Sequence, residues 1–522
     1  MSADAAGSDA WRRRAFAAAG ALVAAGVVVT RFLARQKTFW EWDDFLFGRA
    51  LHRFAPLEGL PQAPFYPGFI LVGRLARAIV PDDVAALTLV SAISSCLAVL
   101  AVFGIAREIA GSTRTALAAA VLFAFFPAVW FHAGSPLSDD AGLAAALGAL
   151  WASLVARRRP TILFGAIVLF AAAVSIRPQD AVIAVPALVL ALRRRGALAA
   201  TSAVVLPALA YGVPVVWASR GVGNAVRLFG RQAAYVVSTD SVGGRTRSLG
   251  AALGEYSGIW VRPKVALAVG LLAVAGIAVL FGSGRRRGLA LLAASFVPYG
   301  AAALLLLDPA VGGRYVLPFL PAVAILCAAA ATAIEQRFLF GIPLVAAAVV
   351  AAGVKLTAPA VGVLHTRPSP PVAAAESIRA RVRGRFAVVY PVELHSHVES
   401  LFPDVPGFPA EETTAAALSA SAVPVWRYGV SSFETETAVW PALSPFWVVG
   451  RGRYLSVAFG PWTPLPAFGR GWYPEEADGT ERFRWMGRDG EIVLPPCAPP
   501  ARLFFSLIAP IPGLGGYPLV EA

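Results

Sequence analysis

What most constrains this chain is a series of apolar runs of membrane-spanning length, crowded into residues 15–357. A helix needs roughly 17–25 mostly apolar residues to cross about 30 Å of hydrocarbon. It must also satisfy every backbone amide internally, because lipid offers no partner. About eleven runs are candidates: 15–33, 84–106, 115–133, 140–156, 161–177, 180–192, 197–218, 264–282, 288–307, 314–334 and 339–357, those at 161–177 and 180–192 being short. The composition agrees, since 57% of the 522 residues are hydrophobic and 15% charged, with a mean hydropathy of +0.66. The chain reads as an α-helical polytopic membrane protein.

The formal charge of +14 could suggest nucleic acid, but its distribution argues otherwise. Residues 1–362 hold 32 Lys and Arg against 16 Asp and Glu, whereas residues 363–522 hold 13 against 15. Much of the excess lies in short Arg clusters between apolar runs, the pattern of cytoplasmic loops. With the N-terminus cytoplasmic, Arg12–Arg14, Arg107 with Arg114, Arg157–Arg159, Arg193–Arg195, Arg285–Arg287 and Arg337 all fall on the cytoplasmic side. "WRRRAFAAAGALVAAGVVVT" resembles a signal peptide but is followed by "RFLARQK" rather than small cleavage-site residues, so it reads as a retained span. An odd number of spans then places the tail outside, together with loops 34–83 and 219–263.

This gives two units: a transmembrane domain over 1–357 and a soluble extracytoplasmic domain over 358–522. Residues 363–522 carry 21 of the 40 prolines and short β-type runs such as "RFAVVYP", "FWVVG", "YLSVAFG", "RFRWM", "EIVLP" and "RLFFSLIAP". Apart from a helix near 371–383, that pattern predicts a mostly β domain, a sandwich being one arrangement open to it. Cys96, Cys327 and Cys497 form no disulfide or metal-ligand spacing, and His395-x-His397, without further ligands, reads as a solvated strand or loop.

Several polar residues then gather on the outer face. Asp43 and Asp44 in "FWEWDDFLFGRAL" sit among Phe39, Trp40, Trp42, Phe45 and Phe47, where partial desolvation and a like-charged neighbour make a carboxylate a better proton acceptor. Asp139 and Asp140 in "SPLSDDAGL" open the fourth span; Ser138 or Asp139 could cap that helix, and a second acid invites a further role. Arg177, Arg227, Arg231 and Arg314 lie near outer ends of spans, against the positive-inside preference. Their guanidinium forks suit phosphate oxygens, while snorkelling to lipid headgroups is the plainer alternative for any one of them. "QAPFYPGFILVGRLARAIVP" (62–81) reads as a Pro-bounded turn into an amphipathic interfacial helix.

In order and topology, "WDDFLFGRAL", "PFYPGF", "SPLSDDAGL", "SIRPQDAVIAVP" and "GRYVLPFLPAVAIL" resemble the GT-C superfamily of integral-membrane glycosyltransferases, which contains the protein O-mannosyltransferases and aminoarabinose transferases. The resemblance covers roughly residues 10–357 and extends to the added soluble C-terminal domain. It implies that Asp43 is the catalytic carboxylate with Asp44 as its motif neighbour, and that Asp139 or Asp140 is the acid after the third span. It also implies that Arg177 and Arg314, with Tyr315 beside the latter, meet the substrate phosphate. Many relatives carry His-Pro-Pro or Pro-Pro before the Tyr-Pro, whereas this chain has Gln62-Ala63-Pro64-Phe65-Tyr66-Pro67.

The function so implied is transfer of a hexose or pentose from a polyprenyl-phosphate donor to a hydroxyl of a lipid, glycan or protein acceptor, on the extracytoplasmic face and with inversion. The phosphate leaves as a stable anion, so the reaction demands a base for the acceptor and cations for the phosphate. No cofactor is required and no metal site is assigned, although a divalent metal bridging acids and phosphate is an option. The rival reading is a lipid-linked-sugar flippase or polysaccharide transporter, whose ionisable groups should recur at mid-span; here the acids gather at span ends. The Ala- and Arg-rich, Lys-poor composition points to a bacterial inner membrane and a role in the cell envelope.

Overall fold

The computed structural model describes residues 3–193, 195–239, 241–242, 248–258, 260, 263–307, 313–337, 341–409, 424–429, 436–440, 456–461, 467–468, 472–478, 481–486 and 492–493. Among these, seven helices are long and apolar enough to cross a membrane, and four shorter apolar helices accompany them. Each expected apolar run is helical over most of its described residues. In chain order the helices of the membrane half begin with α1 (Ala3–Leu33), α2 (Trp42–His52), α3 (Pro67–Ile79), α4 (Asp83–Ala110), α5 (Thr113–Phe125), α6 (Pro127–His132) and α7 (Asp139–Ala156). Next come α8 (Leu163–Ile176), α9 (Pro178–Ala181), α10 (Val185–Leu192), α11 (Ala197–Pro207), α12 (Val213–Ala218), α13 (Val222–Thr239) and α14 (Leu249–Gly258). The half closes with α15 (Pro263–Gly282), α16 (Arg286–Leu306), α17 (Leu320–Arg337) and α18 (Gly341–Thr366).

The helices end where local chemistry dictates. Asp82 caps α4 by accepting from Ala85 N–H, and Ser112 caps α5 by accepting from Thr115 N–H. The run expected to continue over 115–133 is instead divided into α5 and α6, because Pro127 supplies no amide donor and holds Phe126 in an extended conformation. The main core joins α4, α5, α7 and α17 through Ala-rich faces around Val102, Ile105, Phe123, Leu147 and Ile325. Small residues let backbones approach: a Cβ on Gly276 of α15 would stand 1.9 Å from the Leu326 carbonyl oxygen of α17, so only glycine fits.

Helix α3 is the predicted amphipathic element. Phe69, Ile70 and Gly73 are buried, whereas Leu71, Leu75 and Ile79 form an exposed stripe at i, i+4 and i+8. Arg74 turns back to donate to the Leu51 and Ala50 carbonyls at the end of α2, at 2.8 and 3.1 Å, which fixes the two loop helices to each other.

The tail carries α19 (Pro370–Arg381), capped by Ser369, and α20 (His395–Leu401). Its strands are β1 (Ala387–Tyr390), β2 (Gly407–Pro409), β3 (Val425–Tyr428), β4 (Glu436–Val439), β5 (Ser456–Pro461), β6 (Ala467–Phe468), β7 (Trp472–Asp478), β8 (Glu481–Met486) and β9 (Ile492–Val493). Five strands form a sheet in the order β2-β1-β3-β5-β4, with β1 parallel to β2 and β3 and the rest antiparallel. Among the described residues the tail holds this mixed sheet, covered by α19, and two antiparallel two-stranded sheets, β6-β9 and β7-β8. Ala374, Ala375 and Ile378 of α19 pack with Val388, Tyr428, Val457 and Phe459 of the sheet. The runs "FWVVG" and "RLFFSLIAP", with Cys497, lie outside the described residues.

The tail docks on the loop that carries the first acidic pair. Ser369 Oγ donates to the Phe39 carbonyl at 2.5 Å, its amide donates to Thr38 Oγ1 at 2.8 Å, and the Trp40 and Trp440 rings lie 4.8 Å apart. His397, expected as part of a solvated strand or loop, lies on α20 and is buried, with Nε2 3.0 Å from the Trp40 carbonyl. Burial pushes its imidazole down to about 4, which keeps it neutral and suits it to donate there.

Candidate active site

Asp43 and Asp44 occupy the first turn of α2, but they point to different places. Asp44 is fully buried, and its Oδ2 accepts the Trp40 and Glu41 amides at 3.1 Å each, so that this carboxylate closes the start of α2. Burial raises its carboxyl to about 7, opposed by those two amide bonds. Asp43, whose side chain is 18% exposed, accepts from Gln62 Nε2 through Oδ1 at 2.9 Å and pairs with Arg314 through Oδ2.

Arg314 sits in the short helical turn Gly313–Phe319 that leads into α17. Its guanidinium also reaches Glu41 at 2.7 Å and Asp139 at 3.9 Å, while its carbon Cζ lies 5.5 Å from the Tyr315 ring centre. Asp139 in turn pairs with Arg177 at 2.9 Å, and Arg177 meets Asp180 at 3.3 Å and donates to Ser138 Oγ at 3.0 Å. Asp43, Arg314, Asp139, Arg177 and Asp180 therefore form one continuous charged chain, and all but Asp43 are buried. Gly142, one turn along α7 from Asp139, makes room for it, because a Cβ there would stand 2.4 Å from the Cβ of Arg177. Ser138, considered as a cap for α7, makes no capping bond and serves Arg177 instead.

The remaining sequence candidates separate. Asp140 is buried beside Ser95 and Arg31, away from Arg314, and Arg31 itself donates to Ser95 Oγ at 3.1 Å. Arg227 and Arg231 are exposed on α13, with Arg227 donating to Asn224 Oδ1 at 2.6 Å. Glu41 and Asp180 belong to the network without having been singled out in the sequence. Glu41 is 1% exposed, and burial holds its carboxyl well above the usual range, aided by the neighbouring acids and opposed by Arg314. The one signal for Glu41 was its place between two tryptophans; for Asp180 it was its i+3 spacing from Arg177. Among the described residues no three His, Cys, Asp or Glu side chains are placed to hold a metal ion.

The wall facing Asp43 is set by a strained turn. Phe65 and Tyr66 have φ of 69° and 50°, a left-handed conformation that costs non-glycine residues energy and is kept by its surroundings. Phe65 is buried against Phe229, with ring centres 5.1 Å apart, and Tyr211 donates to the Pro64 carbonyl at 2.9 Å. Gly68 then lets the start of α3 approach Ser175, whose Oγ would lie 2.7 Å from a Cβ at that position.

This architecture is shared with solved proteins. ArnT from Cupriavidus metallidurans bound to undecaprenyl phosphate superposes with a TM-score of 0.55 at 13% identity, over 78% of this chain and 92% of that one. The chain has a GT-C fold. A second GT-C neighbour, the apo oligosaccharyltransferase of Archaeoglobus fulgidus, has a TM-score of 0.50 at 14% identity, over 78% of this chain and 69% of that one. Residues 62–218 match the family model described as dolichyl-phosphate-mannose-protein mannosyltransferase, a stretch that contains Asp139, Arg177 and the Phe65–Tyr66 turn of the GT-C half. None of the curated proteins matches the chain in sequence.

Proposed function

We propose that this protein is an inverting glycosyltransferase that moves a sugar from a polyprenyl-phosphate donor to an acceptor hydroxyl at the extracytoplasmic interface. The observation that carries the reading is the pairing of Asp43, the most exposed acid of the network, with Arg314, itself tied through Asp139 to Arg177. The family match and the GT-C fold support transferase chemistry, and the first-named neighbour was solved with undecaprenyl phosphate.

On this reading Arg314 and Arg177 hold the donor phosphate, with Tyr315 beside them. The Arg314 guanidinium occupies Asp43 Oδ2, so the carboxylate and the donor phosphate compete for one cation. Arriving phosphate draws Arg314 towards itself and releases Asp43. Asp43 then removes the acceptor hydroxyl proton, the acceptor oxygen bonds to the anomeric carbon from the face opposite the phosphate, and the anomeric C–O bond breaks. The bonding pair leaves with the polyprenyl phosphate, which needs no protein acid. Gln62 orients Asp43, Asp139 spaces the two arginines, and Glu41 shares the Arg314 guanidinium with Asp43. Arg227 and Arg231, exposed on α13, are left to lipid headgroups. The sugar and the outward orientation belong to the same proposal, the latter resting on the Arg clusters.

The test is radiolabelled sugar transfer from a polyprenyl-phosphate donor by the full chain in nanodiscs. The expected result is Asp43-dependent product with inverted anomeric configuration. Transbilayer movement of the donor without product would establish the transporter reading instead.

A further inference from the structure

Below the docked tail, a cleft of about 380 Å³ opens between α2, the segment 58–62 and α20. We propose that this cleft is the acceptor subsite and that its occupant is a saccharide; the inference rests on the transferase reading above. The two oxygens of Asp43 face different surroundings: Oδ2 is turned to Arg314, whereas Oδ1 is held by Gln62, whose side chain lines the cleft. Gln62 thus joins the cleft to a base whose other oxygen is paired with the phosphate-binding cation, which suits an in-line displacement, since acceptor and leaving group must lie on opposite faces of the anomeric carbon. The volume falls in the range of small-ligand sites.

The lining selects the chemistry. Trp42, the residue before Asp43, is half-buried and offers an aromatic face on which the C–H face of a sugar ring can lie. Around it stand Arg49 and Glu58 from the loop and His395 and Glu399 from α20. Arg49 pairs with Glu399, which lies 3.5 Å from His395 Nε2, and His395 Nδ1 is 2.8 Å from Tyr390 Oη. These groups present carboxylate acceptors, guanidinium donors and an imidazole along one wall, the mixed set that paired hydroxyls satisfy. Arg49 is matched by Glu399 and Glu58 by Arg53, so the phosphate end of the donor is directed to Arg314 and a neutral polyol to this cleft. The tail thereby supplies part of the acceptor site, which explains why α20 is fixed by His397 and Ser396 to the loop that carries Asp43.

The experiment uses the full chain in nanodiscs and saturation-transfer NMR with mannotriose, maltotriose, N-acetylchitotriose and a Thr-rich glycan-free peptide. At least one saccharide should bind. His395→Trp and Glu399→Trp, which fill the cleft from exposed positions, should each weaken that binding at least tenfold, and Trp42→Ala should do the same. In the transfer assay Glu399→Trp should raise the acceptor KM at least tenfold and leave the donor KM unchanged. Saccharide binding unaffected by all three substitutions, no saccharide binding, or cleft-dependent binding of the peptide would overturn the assignment. Failure of the transferase reading has a different signature: no turnover by the unsubstituted chain while cleft-dependent saccharide binding persists.

Discussion

Asp43–Asp44 and Asp139–Asp140 are alike in sequence: two adjacent carboxylates in the first turn of a helix. The structure splits each pair in the same way. One member of each, Asp43 or Asp139, meets Arg314; the other is committed elsewhere, Asp44 to the start of α2 and Asp140 to the surroundings of Ser95 and Arg31. Successive residues on a helix point about 100° apart, so neighbours cannot serve one site face to face. A doubled acid in such a turn therefore offers one group to the site and one to the scaffold. The two pairs differ in access: Asp43 is partly exposed, whereas Asp139 is buried between two arginines.

The sharpest way to break this comparison is to remove charge from each member in turn and measure sugar transfer with insertion verified. Asp43→Asn should lower turnover by roughly 10²–10⁴-fold, the usual contribution of a positioned base, whereas Asp44→Asn, which still accepts the two amides, should stay within about threefold. Equal losses would show that the pair acts as a unit. Next in size, Arg314→Lys removes the fork that joins Asp43, Glu41 and Asp139, and a drop of roughly 10²-fold is expected, with a raised donor KM. In the second pair, Asp139→Asn should cost roughly tenfold or more in turnover, while Asp140→Asn should lower the melting temperature and leave turnover nearly unchanged.

Two pH effects are smaller. The Asp44 carboxyl is raised from 3.8 to about 7, so the fold favours its protonated form. Its contribution to stability is complete below 3.8 and is lost as pH rises through about 7. Thermal unfolding between pH 5 and 8 should show this slope, and Asp44→Asn should flatten it. His397 has the opposite sign: lowered from 6.5 to about 4, it supports docking of the tail above 6.5 and loses that contribution as pH falls through about 4. Hydrogen exchange in α20 should rise over that interval.

Much of the fold was legible because a membrane span announces itself by length and composition alone, and the expected apolar runs are helical over most of their described residues. The interruption at Phe126–Pro127 was readable too, from the proline. The tail was harder: its short β-type runs foretold strands but not their partners, since parallel pairing of β1 with β2 and β3 depends on crossovers that local alternation does not encode. In the site, Asp43, Asp139, Arg177 and Arg314 were legible as charges misplaced at span ends. Glu41 and Asp180 were hidden, because nothing local distinguishes a buried acid from a solvated one.

The sequence by itself determined that this chain is a helical membrane protein, which stretches form its spans and which polar residues must account for themselves at span ends. Those conclusions follow from the cost of unpaired backbone and charge in lipid, which acts on each segment separately. Tertiary structure alone decided which acid of each pair meets an arginine, that Arg314 and Arg177 share Asp139, and that the tail closes over Trp42 and Gln62. Ion pairing and docking join residues hundreds of positions apart, and their geometry exists only once the helices have packed.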